Sequence, residues 1–261
     1  MGKFLAKINP LRKKSAGDIE LGVVNKQTPF AIREAYKSLY TNILYLNIES
    51  KCKKIAITSA FSGEGKTTVS TNLAITFAQN IEDKKILLID TDMRKPKVAK
   101  LLSLDRKARG LSEYLAGLDD EPNLMYLPEY KITVLTSGAS NVNPTKLMGS
   151  KRMAEFLKRC EEEFDYVFID TPPINVVTDA ILLNGNIVGY VISTKADYSS
   201  TVSLNESIET LNRIGAEIYG VVLSSVKLKT AIGKYTRYGK YTRYAKYGKY
   251  YGKYYGKYGA D

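Results

Sequence analysis

Between Thr28 and Glu49 the apolar positions Ile32, Ala35, Tyr36, Leu39, Ile43 and Leu46 recur at helical spacing and predict one amphipathic helix. Beyond it the pattern changes. Short unbroken apolar runs at 54–59, 85–90, 131–135, 166–170, 187–193 and 218–223 read as strands, and amphipathic stretches at 67–81, 150–164 and 200–214 read as helices. Strands with no polar alternation are buried on both faces, which is the condition of a parallel sheet covered by helices. The predicted fold class is therefore α/β, doubly wound, with a mainly parallel sheet. In such a sheet the ligand sits beyond the carboxyl ends of the strands.

Charge divides the 261 residues into three parts. The net charge of +12 resides in the ends: the first fourteen residues hold five bases and no acid, and Lys227 to Asp261 holds ten bases against one acid. Residues 1–27 read as a basic flexible lead, 28–226 as the folded domain and 227–261 as a disordered tail rich in Tyr, Lys and Gly. Tyr235, Tyr238, Tyr241, Tyr244, Tyr247 and Tyr250 recur every third position, followed by Tyr251, Tyr254, Tyr255 and Tyr258. With no Leu, Ile or Val among them and glycines throughout, the tail cannot bury enough apolar surface to offset its ordering entropy. Its use must come from exposed phenols and cations. Two cysteines, Cys52 and Cys160, point to a reducing compartment, and no run approaches the roughly 20 apolar residues of a membrane span. The expected location is cytoplasmic.

At the end of the first apolar run stands Ala60-Phe-Ser-Gly-Glu-Gly-Lys66-Thr67-Thr68, the P-loop pattern with alanine in place of its first glycine. Gly63 and Gly65 let the backbone curl so that its N–H groups converge on phosphate oxygens; Lys66 reaches the β- and γ-phosphates and Thr67 offers a hydroxyl to magnesium. Nothing in this reading gives Lys66 a part in the core. Two further strands end in carboxylates, Asp90-Thr-Asp92 and Asp170-Thr-Pro-Pro. One such aspartate could be a helix cap, but three around a P-loop read as a metal site.

These residues resemble the bacterial tyrosine kinases that accompany capsule and exopolysaccharide assembly, a branch of the P-loop NTPases that includes the partition and division ATPases. The resemblance rests on Ser62-Gly-Glu-Gly-Lys-Thr-Thr68, Ile86-Leu-Leu-Ile-Asp-Thr-Asp-Met-Arg-Lys-Pro96 and Val167-Phe-Ile-Asp-Thr-Pro-Pro173, with Thr136-Ser-Gly-Ala, Asn143-Pro and Gly220-Val-Val-Leu223 also following the family pattern. It implies ATP and Mg2+ as cofactors, with Ser62, Gly63, Glu64, Gly65, Lys66, Thr67, Thr68 and Ser224 around the nucleotide. Thr67, Asp92 and Asp170 would hold the metal, largely through water. Lys66, Asp90 and Asp92 would be catalytic, Asp90 positioning or deprotonating the phenol. The tail tyrosines would be the autophosphorylation sites. The implied partners are a separate membrane activator that recruits the protein to the inner face of the membrane, further copies of the chain and a cognate tyrosine phosphatase.

Three features depart from the patterns of relatives. Phe61 stands where partition ATPases carry their signature lysine, which favours the kinase branch. Where relatives have an arginine-rich oligomerisation helix, this chain has Glu34, Lys37 and Tyr40; the acid is kept, but neither lysine nor tyrosine offers a bidentate fork, so a weak oligomer is expected. Tyr36 and Lys37 otherwise read as helix-surface residues. Ser224 replaces an asparagine that helps to recognise adenine. The alternative reading is a partition-type ATPase switch whose tail binds single-stranded nucleic acid, cations tracking phosphates and tyrosines stacking on bases. It does not explain why the clustered aromatic is tyrosine alone.

Overall fold

The computed structural model describes residues 22–46, 48–139 and 143–226. All ten tail tyrosines therefore lie outside the described residues. Seven strands form one sheet in the order β3-β4-β2-β5-β1-β6-β7. They are β1 (Lys53–Ser59), β2 (Ile86–Asp90), β3 (Met125–Leu127), β4 (Ile132–Leu135), β5 (Tyr166–Asp170), β6 (Gly189–Lys195) and β7 (Ile218–Ser224). Every pairing is parallel except β3 with β4. The predicted class stands.

The double covering follows from alternation within each strand. Ile55, Ile57, Tyr166 and Phe168 face one core, with α1 (Phe30–Leu44), α2 (Lys66–Asn80) and α3 (Val98–Leu101) packed over it. Ala56, Val167 and Ile169 face the other, under α4 (Leu111–Leu115), α5 (Pro144–Met148), α6 (Lys151–Glu163) and α7 (Thr201–Arg213). Ser150 and Ser200 cap α6 and α7 by accepting from the backbone N–H of Met153 and Ser203.

Three expectations are corrected at the start of the domain. The first helix is shorter than 28–49: Pro29 stands at its N-cap and the chain leaves the helix after Leu44. Its predicted face is narrower as well, because α1 packs on α2 and not on the broad sheet; Ile43 is buried, Leu39, Tyr40 and Leu44 pack beside it, and Ile32 stays exposed. The lead is docked from residue 22 onward: Val23 and Val24 are buried, Val24 N–H donates to Asn72 Oδ1 at 2.7 Å and the Asn72 amide donates to Gly22 O at 2.7 Å.

Candidate active site

The carboxyl ends of β1, β2 and β5 are neighbours, so the P-loop and the two aspartate loops meet at one edge of the sheet. Asp90 and Asp170 are paired in register across β2 and β5. Gly63 and Gly65 both adopt φ of +90°, the left-handed conformation that the loop's curl requires of glycine. The loop then enters α2 at Lys66.

Lys66 is almost wholly buried, and its ammonium donates to Asp92 Oδ2 at 2.8 Å. Burial works against its charge, but Asp170 and Asp92 outweigh it and hold its pKa above the ordinary lysine value. The other Asp92 oxygen accepts from Lys95 N–H at 3.0 Å. Asp170 is fully buried; neither of its carboxylate oxygens receives a well-formed hydrogen bond, although the hydroxyls of Thr67 and Ser70 lie close enough to favour its charge. Burial raises its pKa to about 6, with the Lys66 charge opposing the rise. A buried carboxylate with so little hydrogen bonding is costly unless a cation is to join it.

Asp90 behaves differently. Oδ1 accepts from Asp92 N–H at 3.1 Å and Oδ2 from Lys97 and Val98 N–H at 3.2 and 3.1 Å, so its side chain organises residues 91–98 as a helix cap does. Burial, then the charge of Asp170, pushes its pKa well above the usual carboxylate range. Both meanings of a strand-tip aspartate are thus present, the cap at Asp90 and the open carboxylate at Asp170.

The remaining residues of the predicted nucleotide set fall into two groups. Ser62, Gly63, Gly65, Thr67 and Thr68 lie on the loop and the first turn of α2. The side chains of Glu64 and Ser224 instead buttress the loop from behind. Glu64 is buried, accepts from Phe61 N–H at 2.8 Å and takes a short hydrogen bond from the Ser199 hydroxyl; the hydroxyls of Ser193 and Ser224 donate to Glu64 O at 2.7 and 3.0 Å. Of the predicted oligomerisation set, Glu34 and Lys37 form an ion pair on the exposed side of α1, whereas Tyr40 lays its ring edge-on against Phe77, centroids 4.8 Å apart. Tyr36 is not a surface residue either: its hydroxyl donates to Thr68 O at 3.4 Å and accepts from the Asn72 amide at 3.3 Å.

Sequence reasoning missed Asp179, Glu113 and Tyr198. Asp179 is buried and takes a forked pair of hydrogen bonds from Arg94, at 2.8 and 3.2 Å, with the Thr145 hydroxyl at 2.6 Å, which anchors the loop carrying Asp90 and Asp92. The arginine of the Asp-Thr-Asp-Met-Arg motif was a hint that a carboxylate partner existed. Nothing local pointed to Tyr198, whose hydroxyl donates to Ser62 O at 3.3 Å over the P-loop.

Comparison with known proteins agrees with this geometry. A family model described as an AAA domain matches residues 52–220. The tyrosine-protein kinase YwqD of Bacillus subtilis strain 168 is 33% identical over 219 residues, 84% of this chain and 92% of the relative. The chain belongs to the bacterial tyrosine kinases. The tyrosine-protein kinase CpsD of Streptococcus pneumoniae serotype 4 is 35% identical over 203 residues, 77% of this chain and 87% of the relative. Among solved structures, the kinase domain of Escherichia coli tyrosine kinase ETK superposes with a TM-score of 0.74 at 30% identity, covering 83% of each chain. The cell division ATPase MinD of Pyrococcus furiosus, TM-score 0.56 at 24% identity, shares the fold. The kinase thus transfers phosphoryl groups from ATP to protein tyrosine, and the partition-ATPase alternative gives way to that activity.

Proposed function

We propose that the kinase phosphorylates its own C-terminal tyrosines, Tyr235 to Tyr258, in trans, and that the state of this cluster regulates capsular or exopolysaccharide synthesis or export. The single observation that carries the site assignment is Asp170, a fully buried carboxylate that receives no well-formed hydrogen bond, beside the Thr67 hydroxyl and opposite the buried Lys66–Asp92 pair. Among the described residues the three aspartates do not form the ready-made metal cluster that their spacing suggested, and a Mg2+ ion here would need one or two of them together with phosphate and water. Thr67, Asp92 and Asp170 would hold the ion, which supplies charge neutralisation on the transferring phosphate.

The rest belongs to the protein. When phosphates arrive, the Lys66 ammonium exchanges Asp92 for the β- and γ-phosphates, and the loop N–H groups between Ser62 and Thr68 fix the phosphate chain. A phenol of pKa near ~10 needs help to attack at neutral pH. Asp90 stands next to Asp170 in register at the same edge of the sheet; it positions the phenol or takes its proton. Ser224 acts on the nucleotide through the loop it supports. Glu34 and Lys37 remain exposed for a contact between copies, one weaker than an arginine fork would give.

No helix among the described residues is long and apolar enough to cross a membrane. In this reading a partner, the activator, recruits the kinase to the membrane, aided by the basic lead, and a phosphatase resets the tail. Intact mass after incubation with Mg-ATP, with and without a peptide from a candidate activator, tests the reading: a ladder of added phosphates that vanishes when residues 234–261 are removed supports it. Phosphate gained only on another segment would overturn the choice of acceptor.

A further inference from the structure

A cavity of about 600 Å3 lies between the segment that follows β2 and the loop that follows β4. Pro96, Ala99 and Leu104 give it an apolar wall, Asp105, Arg106 and Lys107 a charged one with two cations against one carboxylate, and Thr136 to Gly138 the third side. Thr136 is 3% exposed, yet its hydroxyl has no hydrogen-bond partner. The third side is rigid: Leu111 and Ser112 N–H donate to the carbonyls of Thr136 and Ser137 at 2.8 and 2.9 Å, and a Cβ on Gly138 would come within 2.0 Å of Glu113 Oε2.

The surroundings are strongly basic. Arg94, Lys95, Lys97, Lys100, Arg106 and Lys107 stand against Asp105 alone within fourteen residues, and among the described residues only Arg94 of these cations has an ion-pair partner. Apolar walls, a net positive charge of two cations over one carboxylate and a spare buried hydroxyl together suit an aryl phosphate better than a bare anion or a neutral phenol. The cavity is also tied to the catalytic centre, since the backbone N–H groups of Lys97 and Val98, between Pro96 and Ala99, hold Asp90.

We infer that this cavity is a phosphotyrosine subsite that holds an already modified tail tyrosine of a second copy. The inference rests on the tail being the substrate, as proposed above. Charge selects the modified form: residues 232–261 carry eight bases and one acid, so an unmodified tail is repelled by the basic rim, while each phosphate adds roughly −1.5 to −2. Spacing gives the arrangement a use. Three residues of extended chain span about 10 Å, so anchoring one phosphotyrosine keeps the next tyrosine within reach of the neighbouring catalytic edge. Early phosphates then promote later ones.

The test is calorimetric titration of phosphatase-treated full-length protein, its P-loop filled with magnesium and a non-hydrolysable ATP analogue. Phenyl phosphate is the probe, with inorganic phosphate and tyrosine amide as comparators. Phenyl phosphate is expected to bind about tenfold or more tighter than inorganic phosphate, and Arg106→Ala/Lys107→Ala to lose about tenfold or more of that affinity. Thr136→Val should weaken it by less. Equal affinities for the two phosphates, or an unchanged double variant, would overturn the inference. Intact mass separates the two proposals: the double variant should gain its first phosphate at the wild-type rate and then stall among low phosphate numbers. A ladder of wild-type shape counts against the subsite. If the wild type itself gains no phosphate on its tail, the proposed function fails, whatever the titration shows.

Discussion

Lys66 illustrates how a residue's chemistry can be legible while its structural part is not. The motif assigned it to phosphate and left the core out of account. In the nucleotide-free fold it is buried against Asp92, with Asp90 and Asp170 also acting on it. Lys66→Met should therefore abolish transfer and also destabilise the apo protein by about 3–5 kcal/mol, because it leaves an unpaired buried charge. Lys66→Met/Asp92→Asn should recover much of that stability and none of the activity, as thermal unfolding and phosphate incorporation will show; full stability in the single variant would contradict the ion pair's role. Asp170→Asn is expected to raise the apo melting temperature, since burial costs this carboxylate more than the nearby Lys66 charge returns, while raising the magnesium requirement. Asp90→Asn should instead lose activity that added magnesium does not restore. If excess magnesium rescues Asp90→Asn and not Asp170→Asn, the two roles are reversed.

At the scale of elements, the unbroken apolar runs located six of the seven strands to within two residues at each end, because strands buried on both faces carry no competing pattern. β3 was invisible: Met125–Leu127 is three residues long and pairs antiparallel on the sheet edge. The short helices α3, α4 and α5 were missed for the related reason that four or five residues hold too little periodicity to read. On α1, Tyr40 was read as part of an oligomer surface because neither its ring contact with Phe77 nor its hydroxyl donation to Asn80 O at 3.2 Å can be seen without α2. Tyr40→Ala is expected to cost about 2–4 kcal/mol in denaturant unfolding. Glu113, at the start of α4, accepts from the N–H groups of Gly110 and Ala139 at 2.8 and 2.9 Å. Burial pushes its pKa up, but these backbone donors prevail and hold it below the ordinary glutamate value. A lowered folded-state pKa contributes stability above the unfolded value, and that contribution fades as pH falls through the folded one. Glu113→Gln should thus be less stable than wild type at neutral pH by about 1 kcal/mol, with the gap closing below pH ~4. A gap that persists unchanged in acid would contradict the assignment.

At the scale of the molecule, the division into a near-neutral domain and basic ends was readable from charge alone, while the docking of residues 22–24 on α2 depended on two valines too few to form a pattern. If the tail is the acceptor, as proposed, its charge would give an assembly of copies a switch. With eight bases and one acid over residues 232–261, about four or five phosphates neutralise the segment and ten make it strongly anionic. On the proposed function, the unmodified tail would approach the acidic edge formed by Asp90, Asp92 and Asp170 on a neighbour, and the fully modified one would be repelled from that edge. Removing residues 234–261 should leave the fold intact and make self-association, measured by sedimentation at low and raised salt, insensitive to ATP. An oligomeric state that phosphorylation of the full chain never changes would end the switch proposal without touching the kinase.

The account turns on the tail as acceptor for chemistry at Lys66 and Asp170, and intact mass spectrometry of the purified full-length chain with Mg-ATP tests that link most directly. The predicted result is a stepwise series of phosphate additions, absent from Lys66→Met alone, restored when Lys66→Met is mixed with active protein, and lost on removal of residues 234–261. A tail that gains no phosphate under any of these conditions, while binding single-stranded nucleic acid with a steep dependence on salt, would contradict it.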